Sequence, residues 1–171
     1  RFEKLAGKQD AGRRVFVAGA QRSGTNMVMD MLERSWVTEV FHERDPRAFI
    51  DYELRDAETI RSLSNASPAP VCVYKALCES QYVTQLIEQH APAKGIWVYR
   101  HYDAVVKSHV KLWTGMPETM RLIATDPAET DVWRGRGMSD DTRAFIVESY
   151  HDQLSNESAC ALFWYMRNVL F

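Results

Sequence analysis

The sequence predicts an α/β fold, with a parallel sheet of about four or five strands flanked by helices and a helical C-terminal third. Three observations predict it. Short, uniformly apolar runs rich in Val, Phe, Ile and Tyr punctuate the first two thirds of the chain. Between them lie segments whose apolar residues recur at three- and four-residue spacing, the signature of amphipathic helices. The last third carries helical patterns and no strand-like run.

The first strand is Arg14-Val-Phe-Val-Ala-Gly-Ala20, too uniformly apolar for a half-exposed strand and therefore expected in a buried parallel sheet. A glycine-containing turn follows, then a helix whose stripe is Met27, Val28, Met31, Leu32 and Trp36. Val37-Thr-Glu-Val-Phe-His42 reads as the second strand, ending at Glu43 and the turn before Pro46. A helix is expected over Ala57 to Leu63. The following Ser64-Asn-Ala-Ser-Pro-Ala-Pro70 is a loop, because two prolines and several turn formers oppose a helix. Val71-Cys-Val-Tyr74 is the third strand. Tyr82, Val83, Leu86 and Ile87 mark a helix ending near Pro92, and Gly95-Ile-Trp-Val-Tyr99 is the fourth strand. Asp103 caps a helix with the face Val105, Val106, Val110 and Trp113. Pro117 to Ala124, Ser139 to Tyr150 and Asn156 to Phe171 are the C-terminal helices, the last two with Ser or Asn caps. The apolar Leu162, Phe163, Met166, Val169, Leu170 and Phe171 predict burial of the last helix against a second copy or further C-terminal polypeptide.

The 171 residues are 46% hydrophobic, 26% charged and 11% aromatic, enough for one domain over 1–171 and unlike a disordered or fibrous chain. A formal net charge of −2 argues against a general polyanion coat, so no nucleic-acid partner is expected, while a local basic pocket remains open. No apolar run is long enough to span a bilayer, since Ser158 to Met166 is bounded by Glu157 and Arg167. No basic-then-apolar leader precedes Val15. Cys72, Cys78 and Cys160 have no metal-ligand spacing and are expected as buried fillers, which favours a reducing, cytoplasmic setting.

Open parallel sheets gather ligands at the carboxyl ends of their strands, so the residues just beyond each strand are the site candidates. Beyond the first lies Gly19-Ala-Gln-Arg-Ser-Gly-Thr-Asn26, a turn opening a helix, where free N–H groups and the helix dipole favour an anion. Arg22 adds a permanently charged fork. The glycine spacing copies half of a P-loop, giving a P-loop-like sheet, but Thr25 stands where the lysine of an NTPase belongs. Lys75 and Arg100 follow the third and fourth strands, and Ser108 lies eight residues after Arg100, where its hydroxyl can join Arg100 on one anionic group.

These residues carry a resemblance. Gln21-Arg-Ser-Gly-Thr-Asn26 resembles the 5′-phosphosulfate loop of sulfotransferases that use 3′-phosphoadenosine-5′-phosphosulfate (PAPS), in the form common in carbohydrate-type and bacterial members. Val98-Tyr-Arg-His-Tyr-Asp-Ala-Val-Val-Lys-Ser108 resembles their 3′-phosphate motif, and Phe163-Trp-Tyr-Met-Arg-Asn168 is similar to a helix of bacterial sulfotransferase-like proteins. The resemblance implies that Gln21, Arg22, Ser23, Gly24, Thr25 and Asn26 hold the 5′-phosphosulfate, and that Arg100 and Ser108 hold the 3′-phosphate. It implies catalytic roles for Arg22 at the leaving phosphate and for Lys75 at the sulfuryl or bridging oxygen. The acceptor would be a small-molecule or carbohydrate hydroxyl, and no metal is required. The histidine two residues after the strand-end lysine of aryl and steroid sulfotransferases is absent, since Lys75 is followed by Ala76 and Leu77. Heparan-type members instead resemble this chain in having a glutamate after the second strand, which favours Glu43 as the base, with Glu39 and His42 as substitutes. The family's domains run to roughly 250 to 300 residues, so the chain is expected to be incomplete at its C-terminus. Two other readings share these residues, a P-loop kinase-like enzyme and a non-catalytic nucleotide-binding fragment.

Overall fold

A computed structural model of the chain describes residues 13–126 and 134–169. These residues fall into two compact units, one of Gly24–Val98 with the strand before Gly19, the other of Gly19–Ser23 with the chain from Tyr99 onward.

The first unit is built on a four-stranded parallel sheet in the order β2-β5-β1-β6. Its strands are β1 (Arg13–Ala18), β2 (Thr38–Phe41), β5 (Val71–Lys75) and β6 (Ala93–Trp97). Helix α1 (Thr25–Glu33) follows β1, α2 (Ala57–Ala66) precedes β5, and α3 (Val83–Gln89) precedes β6. The alternation of side chains across β1 and β5 divides the core in two. Phe16, Ala18, Cys72 and Tyr74 join Phe41, Ile60 and Val83 in one cluster, while Val17 and Val73 pack with Met29 in the other. Each large side chain buried in this way contributes about 1.5–3 kcal/mol. The α/β expectation therefore holds, with interior strands apolar on both faces.

Several elements differ from the sequence reading. In α1 the buried residues are Thr25 and Met29, with Val28 and Leu32 packed beside them, whereas Met27, Met31 and Trp36 are exposed. β6 begins and ends two residues early because Ala93 and Lys94 are drawn into register with Arg14 and Val15. This pairing overrides the weak strand propensity of Ala-Lys-Gly. Helix α2 continues through Ala66, past the expected start of the loop, with Asp56 accepting hydrogen bonds from the Glu58 and Thr59 N–H groups. A two-stranded ribbon, β3 (Phe49–Ile50) and β4 (Glu53–Leu54), was not expected.

The second unit is helical from Tyr102 onward among the described residues, with α4 (Tyr102–Val110), α5 (Met116–Thr125), α6 (Asp140–Ser149) and α7 (Asn156–Asn168). The cap of α4 is His101, whose ring accepts the Asp103 N–H, rather than Asp103 itself. Asp103 instead pairs with Lys107 one turn on. Ser139 and Ser155 cap α6 and α7 through their hydroxyls, as expected of this residue type. Helix α7 packs on α4, α5 and α6, so Leu162, Phe163 and Met166 are buried within the unit, while Val169 is exposed. Leu170 and Phe171, also expected on this helix, lie outside the described residues. All three cysteines are buried and free, and no helix among the described residues is long and apolar enough to cross a membrane.

Candidate functional site

In the first unit, parallel pairing of β2 with β5 sets Phe41 opposite Tyr74, so the residues after β2 and the last residue of β5 share one edge of the sheet. That edge brings Glu43 to Lys75. The Lys75 ammonium donates to Glu43 Oε1 at 2.5 Å and also to Asn26 Oδ1 at the start of α1. The Lys75 side chain is 3% exposed and that of Glu43 16%. Burial acts to raise the Glu43 carboxyl, but the Lys75 hydrogen bond, a loop N–H and nearby positive charge outweigh it, leaving the carboxyl below its ordinary value of 4.5. Glu43 is therefore a carboxylate at neutral pH, held by a buried cation.

The two substitutes for Glu43 are engaged elsewhere. Glu39 accepts from Arg47 Nη1 at 3.0 Å, and His42 Nε2 lies 3.7 Å from Glu33 Oε2. Asp30 joins Glu33 and His42 in a group whose ligand atoms lie within 4.8 Å of one another, on side chains that are exposed or half-buried. Gly24 is the N-cap of α1, with φ of 106° and no side-chain hydrogen bond to the helix, so the first turn keeps N–H groups for another acceptor. Thr25 is buried and Asn26 exposed.

In the second unit, the Gly19–Ser23 segment forms a tight turn in which Ser23 donates both its N–H and its hydroxyl to Ala20 O, at 3.2 and 2.6 Å. Arg22 has left-handed backbone geometry, with φ of 66°. Its Nε donates to Ser108 Oγ on α4 at 2.9 Å, and Arg100 Nη1 donates to the Arg22 carbonyl at 3.4 Å. Thus Arg22 bonds both to Ser108 and, through its carbonyl, to Arg100, whereas the eight-residue spacing paired Ser108 with Arg100. The resemblance assigns Arg22 and Ser108 to different phosphates, whereas here their side chains bond directly. Neither guanidinium has a carboxylate partner among the described residues. Two fixed positive charges held together without a counter-charge suit a multiply charged anion. Gln21 is 7% exposed, and neither atom of its side-chain amide has a hydrogen-bond partner among the described residues. A buried amide left in this way costs about 1–3 kcal/mol, as is common beside a ligand site.

Two residues here escaped the sequence reading. His109, fully buried on α4, engages the Gln21 carbonyl through Nε2 at 3.1 Å. Trp164 on α7 donates its indole N–H to the Arg100 carbonyl at 3.0 Å. Trp164 lies inside the helix segment quoted above and thus had a signal, whereas His109 sits in an apolar stripe and had none. No protein-family model matches the chain, and no curated protein and no solved structure matches it either.

Proposed function

We propose that the chain is a sulfotransferase that moves a sulfuryl group from PAPS to the hydroxyl of a small-molecule or carbohydrate acceptor. The observation that carries this reading is the Arg22–Ser108 hydrogen bond, which joins two motifs 86 residues apart, with Arg100 on the same turn. Both motifs resemble donor-binding segments of one enzyme family, and their meeting around uncompensated guanidiniums supports that common assignment. The donor supplies an activated sulfuryl group and departs as adenosine 3′,5′-bisphosphate.

Roles follow from charge and donor type. Arg22, with the N–H groups of residues 24–26, holds the 5′-phosphosulfate and stabilises charge on the leaving phosphate. Arg100 and Ser108 hold the 3′-phosphate. The Lys75 ammonium serves the sulfuryl or bridging oxygen, and Glu43 takes the acceptor proton as the acceptor oxygen–sulfur bond replaces the phosphate oxygen–sulfur bond. When Lys75 turns toward an anionic oxygen it gives up Glu43, and the carboxylate becomes the stronger base that this step needs.

The test is calorimetric titration followed by product analysis. Adenosine 3′,5′-bisphosphate should bind more tightly than ADP, with affinity unchanged by removal of Mg²⁺. PAPS with a panel of hydroxyl acceptors should give sulfated product, and Arg22→Ala should abolish turnover in a folded protein. Tighter, Mg²⁺-dependent ADP binding would favour the kinase-like reading, and bisphosphate binding without any sulfated product would favour the non-catalytic one. Normal sulfation by the Arg22→Ala variant would remove the assignment of that residue.

A further inference from the structure

We infer that His109 is a positioning residue that sets the backbone of the Arg22 turn for anion binding; in its link to the nucleotide this rests on the reading above. Each peptide unit is rigid, so anchoring one carbonyl oxygen fixes the N–H on the other side of the same bond. The Gln21–Arg22 plane is held at its oxygen by His109 Nε2, and the Arg22–Ser23 plane is held at its oxygen by Arg100 Nη1. The two dihedrals of Arg22 are the rotations between those planes. With both oxygens held, the left-handed conformation of Arg22 is determined, although a residue with a Cβ disfavours it.

The chemistry of the ring agrees. A carbonyl only accepts, so Nε2 carries the proton and donates, and the second nitrogen of His109 is a bare lone pair. That Nδ1 is buried and has no partner among the described residues. An apolar ring would fill the same space without this cost, so core packing alone does not account for histidine. The ring stacks on Trp113, with centroids 4.5 Å apart and planes at 22°, and Phe163 lies beyond at 6.1 Å. This packing fixes the direction in which Nε2 points. Burial, with the Arg22 charge adding to it against the opposing Gln21 hydrogen bond, lowers the pKa of His109 to about 4, so the ring is neutral over the working range. Full burial also removes it from any direct role in proton transfer to a substrate.

The test compares His109→Phe, which keeps the stack and loses the donor, with His109→Gln, whose amide nitrogen can occupy the place of Nε2. Amide hydrogen exchange of residues 19–24 and of α4 is measured alongside titration with adenosine 3′,5′-bisphosphate. In His109→Phe, exchange in the turn should rise at least tenfold while α4 stays protected, and affinity should fall at least tenfold. His109→Gln should bring both quantities to within about threefold of the parent chain. If His109→Phe does not fold, His109→Leu makes the same comparison with less bulk. Unchanged turn exchange in the donor-less variant would overturn the inference, as would a folded His109→Gln as impaired as His109→Phe. A parent chain that protects the turn through His109 but does not bind the bisphosphate leaves the positioning role standing and removes the nucleotide reading.

Discussion

The Lys75–Glu43 pair makes an asymmetric prediction that can be tested without any substrate. At 2.5 Å the attraction between the two charges is about 7 kcal/mol for an effective dielectric constant near 20. Desolvation cancels much of it, and the burden falls unequally, because Lys75 is almost wholly buried and Glu43 is closer to solvent. Replacing Glu43 by Gln keeps the shape and removes the charge, leaving a buried ammonium with only neutral acceptors. Loss of one partner of a buried pair costs about 3–5 kcal/mol. The value here should be near ~3 kcal/mol, since Asn26 Oδ1 and the new amide oxygen still accept from Lys75. Lys75→Met removes the buried cation and leaves a carboxylate that can hydrate, at about 1 kcal/mol. The double variant should therefore resemble Lys75→Met and be more stable than Glu43→Gln by ~2 kcal/mol, which corresponds to a coupling energy of ~3 kcal/mol in magnitude. Urea unfolding followed by tryptophan fluorescence measures all three. A Glu43→Gln variant within 1 kcal/mol of the parent, or a double variant less stable than Glu43→Gln, would refute the claim that Lys75 depends on Glu43.

The same pair predicts an acid-sensitive term. The folded Glu43 carboxyl lies below its ordinary 4.5, so its contribution is complete above that value and is lost as pH falls through the folded value; the stability gap between the parent and Glu43→Gln should close on that descent. Gly24→Ala should cost about 1–2 kcal/mol and Gly24→Asn less, because the strain lies in the φ of 106° rather than in space, the nearest atom to an added Cβ being Met27 Cε at 4.0 Å; thermal unfolding reads the difference. Gly95→Val should cost about 1–3 kcal/mol, since a Cβ there meets Ile87 Cδ1 at 2.9 Å and Val83 Cγ2 at 3.3 Å on α3; a variant as stable as the parent would show that α3 gives way freely. Trp164→Phe removes the indole donor from the Arg100 carbonyl and should weaken adenosine 3′,5′-bisphosphate binding about fivefold with little change in α7 helicity, as followed by titration and circular dichroism.

What the sequence made legible follows from where tertiary forces reinforce local preference. β1 and β5 are interior strands, apolar on both faces, so their runs stand out in composition alone. Among the described residues β6 pairs with β1 alone, and its Ala-Lys-Gly start becomes strand because β1 supplies the ladder, something no local pattern contains. The β3–β4 ribbon turns through Asp51 and Tyr52, both at positive φ, without the glycine that usually announces such a turn. Arg22, Arg100 and Ser108 of the second unit stand out in the sequence because charge and spacing are local properties, and Lys75 and Glu43 of the first because each lies at or just beyond a strand end. His109 was not readable, since its neighbours Val105, Val106 and Val110 make the stripe look like ordinary core and only the fold reveals which carbonyl it meets.

The cations fall into two electrostatic kinds, and the difference bears on what each can do. Lys75 has its counter-charge in place, so an anion can recruit it only by displacing Glu43, which couples binding of negative charge to the release of a carboxylate. Arg22 and Arg100 have no carboxylate partner among the described residues, and Arg100 donates to the carbonyl of a turn residue with left-handed backbone geometry. The left-handed Arg22 backbone costs stability, and the His109 and Trp164 hydrogen bonds hold the two arginine-bearing segments in place. Under the proposed function, a bound anion would supply the missing counter-charge. The turn should therefore gain more thermal protection from a bisphosphate than from singly charged sulfate at equal ionic strength. Equal protection by the two would mean that the guanidiniums act as independent surface charges rather than as one receptor.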